Sequence, residues 1–418
     1  MRKYILFIAL FFVSSQAFSQ KHIQDSLAKW SEAHQFVKMD SINNKYKTKD
    51  YFFYKALYAN VCNNPLLSNV YLDSIKKRKT SKTFKFYKLK NDNFIKLFDY
   101  KNAYRTAKIL TSIYIHEFDS IKLKAEFNTK RIWEVLKNSP AQKIIKFDSV
   151  TIPTFKDKAG LMTMKVTAND IEINFVFDTG AGLNCITESL AKKLGFKILL
   201  DNNIVVKSFT GVDNKVLIGV APILQVGAIK IHDAVFLVYP DNAFTFAKGA
   251  YVINGIIGFP IAKELGTIII TKDKLTIMQK SADLKYNKNL FIDELRAIVM
   301  LRYKGKSNPF NFDSGAKASS FTKSFYEAYQ SNLQKNGRII GSKTSGAGGQ
   351  EVNKQVLEIQ NQEMYLDKTK IKFSSMLVNK FDYGIYGKVN FGNIGQDVLS
   401  QFDKITISFD NNYLKLEN

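Results

Sequence analysis

Two tripeptides hold residues that could do chemistry: Asp178-Thr179-Gly180 and Asp313-Ser314-Gly315, each followed by alanine. With this usage of Asp, Ser/Thr and Gly, on the order of 0.2 chance copies of the pattern are expected, so one copy alone would mean little. Two copies in matching surroundings mean more. Two carboxylates brought close together cannot both ionise easily, so the pair would share one proton. The charged member could then activate a water as general base while the protonated member polarises a carbonyl. One copy supplies only half of that arrangement. Other chemistries lack their residues. Two cysteines, Cys62 and Cys185, and four scattered histidines form no ligand set for a metal, and no cofactor is expected. Gly305-Lys306-Ser307 ends like a phosphate loop, but the glycine needed at position 300 is Met300.

The elements that must position the two aspartates repeat. Leu161 to Val166 and Ile171 to Phe177 alternate apolar and polar residues around the turn residues 167–170, which reads as a hairpin leading into Asp178. Arg296 to Tyr303, the turn 304–307 and Pro309 to Phe312 lead into Asp313 in the same way. Amphipathic stretches follow each aspartate, Glu188 to Leu194 and Lys323 to Tyr329. Further on, Ile256-Ile257-Gly258 precedes Ile261 to Leu265 and the strand Thr267 to Ile270, while Asn393-Ile394-Gly395 precedes Val398 to Phe402 and the strand Lys404 to Phe409. The intervals from Asp to Gly are 80 (258 − 178) and 82 (395 − 313) residues. This pattern predicts an internal duplication, two copies of one β-rich lobe in one chain. Each flap should lie between its Asp loop and its Gly turn, at Ser208 to Asp213 and at Ser345 to Gly349.

These residues resemble the pepsin and retropepsin families of aspartic proteases, over about residues 150 to 418. The resemblance implies a mainly β protein of two lobes in tandem, with Asp178 and Asp313 as the catalytic dyad. It implies that Thr179 and Ser314 hold the loops together through their hydroxyls, that Gly180 and Gly315 allow the tight backbone, and that Gly258 and Gly395 sit in supporting turns. The implied activity is hydrolysis of peptide bonds in a peptide or protein substrate by one chain acting as a monomer. Asn393 departs from the family, which usually has an aliphatic residue there, and no pepsin-type flap tyrosine is evident. The class held against this one is a bilobal protein that only binds, but intact carboxylates and hydroxyls in both halves favour the enzyme. Ala181 and Ala316 stand where pepsin-like enzymes often carry a hydroxyl that donates to the carboxylate. Its absence in both halves predicts an only mildly acidic optimum.

The chain ahead of the lobes is of another kind. Residues 1–19 read as a cleavable signal peptide, with Arg2-Lys3, an apolar core from Tyr4 to Val13 and small residues at its exit, which predicts an exported protein, periplasmic or secreted. Residues 20–140 carry helical spacing, with helices expected at Tyr51 to Val61, Leu66 to Ile75, Thr83 to Leu97 and Asn102 to Tyr114, in a style similar to tetratricopeptide helix pairs. The lobes then fall at 141–280 and 281–418. The net charge of +24 is uneven: residues 20–150 hold 26 Lys/Arg and 12 Asp/Glu, a difference of +14, with Lys76-Lys77-Arg78-Lys79 the densest run. Such a face suits a protein partner or an anionic surface; nucleic acid is not an expected partner of an exported protein. Cys185 is expected as a buried free thiol rather than half of a disulfide.

Overall fold

Polar capping residues set the starts of several N-terminal helices. Thr83, Asp99 and Asp119 each accept a hydrogen bond from the backbone N–H three residues on, at 3.4, 3.1 and 2.8 Å. They open α5 (Phe84–Lys96), α6 (Tyr100–Ile113) and α7 (Ser120–Leu136). Before them lie α1 (20–32), α2 (Phe36–Tyr46), α3 (Tyr51–Val61) and α4 (Pro65–Lys77). The computed structural model describes residues 20–77, 83–145, 147–201, 203–208, 211–279, 286–347, 351–380 and 390–418. The proposed signal peptide, Arg78 and Lys79 of the basic run, and the tips of both expected flaps lie outside the described residues.

The four expected helices form within two residues of their expected ends, whereas α1, α2 and α7 were not expected from spacing. In α7 burial changes along the helix, with Ile121 64% and Phe127 37% exposed in its first half while Ile132, Trp133 and Leu136 are buried near its end. Together with Lys323–Asn336 these helices correct the expectation of a mainly β chain. Helix and strand are present in comparable measure.

From Lys143 on, strands dominate. Ile171–Phe177 pairs antiparallel with Met162–Ala168 across a two-residue turn in which Asn169 and Asp170 both take positive φ, 49° and 57°. Lys304 and Gly305, φ 49° and 79°, close the corresponding turn between Arg296–Tyr303 and Lys306–Phe312. Each second strand then runs parallel to the strand that enters a Gly turn. Val176 faces Ile256 and Phe177 faces Ile257; Asn311 faces Asn393 and Phe312 faces Ile394. The registers are the same in both halves, so each Asp loop lies over its own Gly turn.

The two halves join through a shared sheet. Thr267–Ile270 and Lys404–Ser408 pair antiparallel at its centre, flanked by Lys274–Met278 with Ser149–Lys156 on one side and by Tyr413–Glu417 on the other. Ile268 faces Ile407 and Ile270 faces Ile405. Counted from Gly258 and Gly395, Ile268 corresponds to Ile405 and Ile270 to Ile407. The pairing is thus self-complementary, like contacts around a two-fold axis. One apolar core of buried residues runs through both halves, from Ile152 to Leu416.

The helices are built into this body. Tyr100 stacks on Trp133, 6.0 Å between rings and nearly parallel, and both share a buried cluster with Cys185, Val235 and Leu237. Cys62 and Cys185 are both free. Lys96, wholly buried, donates to Asn60 Oδ1 (2.7 Å) and Ile292 O (3.1 Å) and pairs with Asp92 (2.7 Å). Lys263, also buried, donates to Lys96 O (2.9 Å). α7 grips the hairpin Val205–Lys207/Asp213–Lys215: Lys124 donates to Asp213 (3.0 Å), and Arg131 donates to Asn203 O (2.7 Å) just before it.

Candidate active site

Asp178 and Asp313 each leave the end of a strand whose last residues are buried, and their backbone N–H groups donate to Ile257 O (2.9 Å) and Ile394 O (3.0 Å). The two loops then lock onto one another. Thr179 Oγ1 donates to Phe312 O (2.9 Å) and accepts from Ser314 N–H (3.1 Å). Ser314 Oγ donates to Phe177 O (2.9 Å) and accepts from Thr179 N–H (3.1 Å). Both hydroxyl residues are 0% exposed. Each hydroxyl satisfies one donor and one acceptor of the opposite half, which is why both positions need a hydroxyl on a short stem.

The glycines are required by closeness. A Cβ on Gly180 would lie 2.3 Å from the carboxyl carbon of Asp313, and one on Gly315 would lie 2.1 Å from that of Asp178. Beneath the loops, a Cβ on Gly258 or Gly395 would lie 2.7 Å from the carbonyl oxygen of Ala181 or Ala316. Phe259 N–H and Gln396 N–H donate to those same carbonyls, each at 2.8 Å.

The result is two half-buried carboxyls hydrogen-bonded to each other, both within reach of water. Gly180 N–H donates to Asp178 Oδ1 (2.8 Å) and Gly315 N–H to Asp313 Oδ1 (3.0 Å). Burial pushes the Asp178 carboxyl well above its usual range, helped by the charge and hydrogen bond of Asp313 and opposed by the N–H groups of Gly180 and Ala181. A pair of this kind keeps one proton where isolated carboxyls would both be ionised.

All six residues expected at the site, Asp178, Thr179, Gly180, Asp313, Ser314 and Gly315, are brought together here. Sequence reasoning missed the supports. Asn184 Oδ1 accepts from Gly258 N–H (2.8 Å), and Ser319 Oγ accepts from Gly395 N–H (3.0 Å). Each lies six residues after its aspartate, a repeated polar position that could have been found. Gln396 donates to Ser314 O (2.7 Å) and accepts from Lys156, and Asn393 Nδ2 donates to Asp313 Oδ2 (2.7 Å). Nothing in the spacing signals these two, because their counterparts, Phe259 and Ile256, are apolar.

Residues 164–261 match the family model described as aspartyl protease. The matched stretch takes in the first Asp loop and its Gly turn, and supports an aspartyl protease domain there. No curated relative matches the chain.

Proposed function

We propose that the chain is a single-chain aspartic endopeptidase of the retropepsin–pepsin kind, built from two duplicated lobes and acting as a monomer. The observation that carries this reading is the reciprocal Thr179/Ser314 lattice, which brings one carboxyl from each half into hydrogen-bond contact. A purely structural turn would not need the same hydroxyl bridge twice. The ionised carboxylate takes a proton from a water whose oxygen bonds to the scissile carbonyl carbon. The protonated carboxyl gives its proton to the carbonyl oxygen. Collapse of that intermediate breaks the C–N bond and returns a proton to the leaving amine.

The substrate is a peptide or protein met outside the cytoplasm, to which residues 1–19 would direct the chain. The N-terminal helices serve as a fixed brace for the first flap, and their basic face is available to a protein partner or an anionic surface. Asp178→Asn and Asp313→Asn are each expected to abolish cleavage of a peptide library followed by mass spectrometry, with circular dichroism unchanged. Appreciable turnover in either variant would remove the dyad from the mechanism.

A further inference from the structure

The two half-sites share the hydroxyl bridges and the glycine N–H bonds to their aspartates, and they differ in the further donors that reach each carboxyl. Asn393 and Ile256 are counterparts, each two residues before its turn glycine and each facing the residue two before its aspartate. Ile256 has no polar group to offer. Asn393 donates its side-chain N–H to Asp313 Oδ2 at 2.7 Å, on the oxygen that Gly315 N–H leaves free. Asp178 instead receives a second backbone donor, Ala181 N–H at 3.2 Å, on the same Oδ1 that Gly180 already occupies. The Gly180 and Gly315 contacts cancel between the halves. What remains is a short amide bond to the Asp313 oxygen that Gly315 does not occupy, against a longer bond to the Asp178 oxygen that Gly180 already occupies. A donor to a carboxylate favours its charged form.

We propose that Asn393 is a positioning residue that breaks the symmetry of the pair: it holds the negative charge on Asp313 and leaves the shared proton on Asp178. This rests on the dyad reading above and deepens it. Asp313 then takes the proton from water, and Asp178 gives its proton to the carbonyl oxygen of the substrate.

The other ionisable groups around the pair do not reverse this. Cys185 and Tyr239 contact each other on the Asp178 side and are both pushed up by burial, so both stay neutral. Lys156 reaches the Asp313 side only through Gln396, and Asp397 is taken up by Ser319 N–H and Oγ at 2.8 and 2.7 Å.

The test does not depend on turnover. Infrared spectra of the full-length protein resolve a protonated carboxyl, and Asp178→Asn and Asp313→Asn each leave one member of the pair. At a pH where the parent holds one shared proton, Asp313→Asn is expected to keep the protonated band and Asp178→Asn to lose it. Adding Asn393→Ile, or the smaller Asn393→Ala, to Asp178→Asn should restore the band. In the parent background, either change should move the acid limb of the kcat/KM profile up by about one pH unit, a change of about 1.4 kcal/mol. Equal bands in the two single-carboxyl variants, or no response to Asn393 in the spectrum, overturns the proposal even if peptides are cleaved. A protein that cleaves nothing but shows the expected bands would refute the proposed function and leave this assignment standing. A uniform loss of rate with the acid limb unmoved would reduce Asn393 to a structural role.

Discussion

Thr179→Ala is the most direct perturbation of the contact between the halves. It removes one hydroxyl and leaves two buried groups of the opposite loop, Phe312 C=O and Ser314 N–H, without that partner. Each orphaned buried group costs about 1–3 kcal/mol, so the expected loss is about 3 kcal/mol, a large share of the 5–15 kcal/mol typical of a folded domain. Thr179→Ser keeps both hydrogen bonds and loses only a methyl, worth about 1 kcal/mol. Urea unfolding followed by far-UV circular dichroism compares the variants through their midpoints at unchanged slope. The alanine variant should also lose activity by about a hundredfold, because the carboxyls are no longer held to within an ångström. Ser314→Ala should match Thr179→Ala in both respects, since its bonds mirror those of Thr179. Equal midpoints for Thr179→Ala and Thr179→Ser would refute the reasoning, as would a large difference between the two alanine variants.

Other expectations concern charge. Because burial and Asp313 hold the Asp178 carboxyl well above its usual range, the folded chain keeps a proton that the unfolded chain releases near pH 4. Stability contributed by this group is therefore full at low pH and falls as pH rises from about 4 through the folded ionisation, at about 1.4 kcal/mol per unit between the two. Asp178→Asn should remove that slope and exceed the parent's urea midpoint at pH 7; a lower midpoint would contradict it. Ala181→Thr with Ala316→Thr supplies a hydroxyl donor to each ionised carboxylate and should move the acid limb of kcat/KM to lower pH, and an unmoved limb would count against the mildly acidic optimum. Lys96→Met leaves Asp92, Asn60 Oδ1 and Ile292 O without their buried cation and should cost about 3–5 kcal/mol. The exposed pair Lys165–Glu172 is the control: Lys165→Met should cost no more than about 1 kcal/mol in the same unfolding experiment, and equal losses would mean the helices are not anchored through Lys96.

Local rules were enough for the hairpins ahead of both aspartates and for four of the helices. Period-two alternation, turn residues that tolerate positive φ and polar caps all act within a few residues of chain. The repeated Asp-[Ser/Thr]-Gly and the Gly turns 80 and 82 residues on also named all six residues that meet at the site. Helices α1 and α2 carry short apolar stripes at helical spacing, Ile23, Leu27 and Trp30 in one and Phe36, Met39 and Ile42 in the other, which were not read and which pack into one cluster; with them and α7 went the balance of helix to strand. Only the tertiary structure decided which oxygen each donor reaches. Asn393 looked like a departure from an aliphatic position, yet parallel pairing with Asn311 sets it beside Asp313 Oδ2. The burial of Lys96 and Lys263 between the helices and the lobes was equally invisible, because a lysine pattern on a helix records charge but not what packs over it. Contacts between residues some 80 to 200 positions apart follow from how the strands and helices stack, and no local pattern encodes that distance.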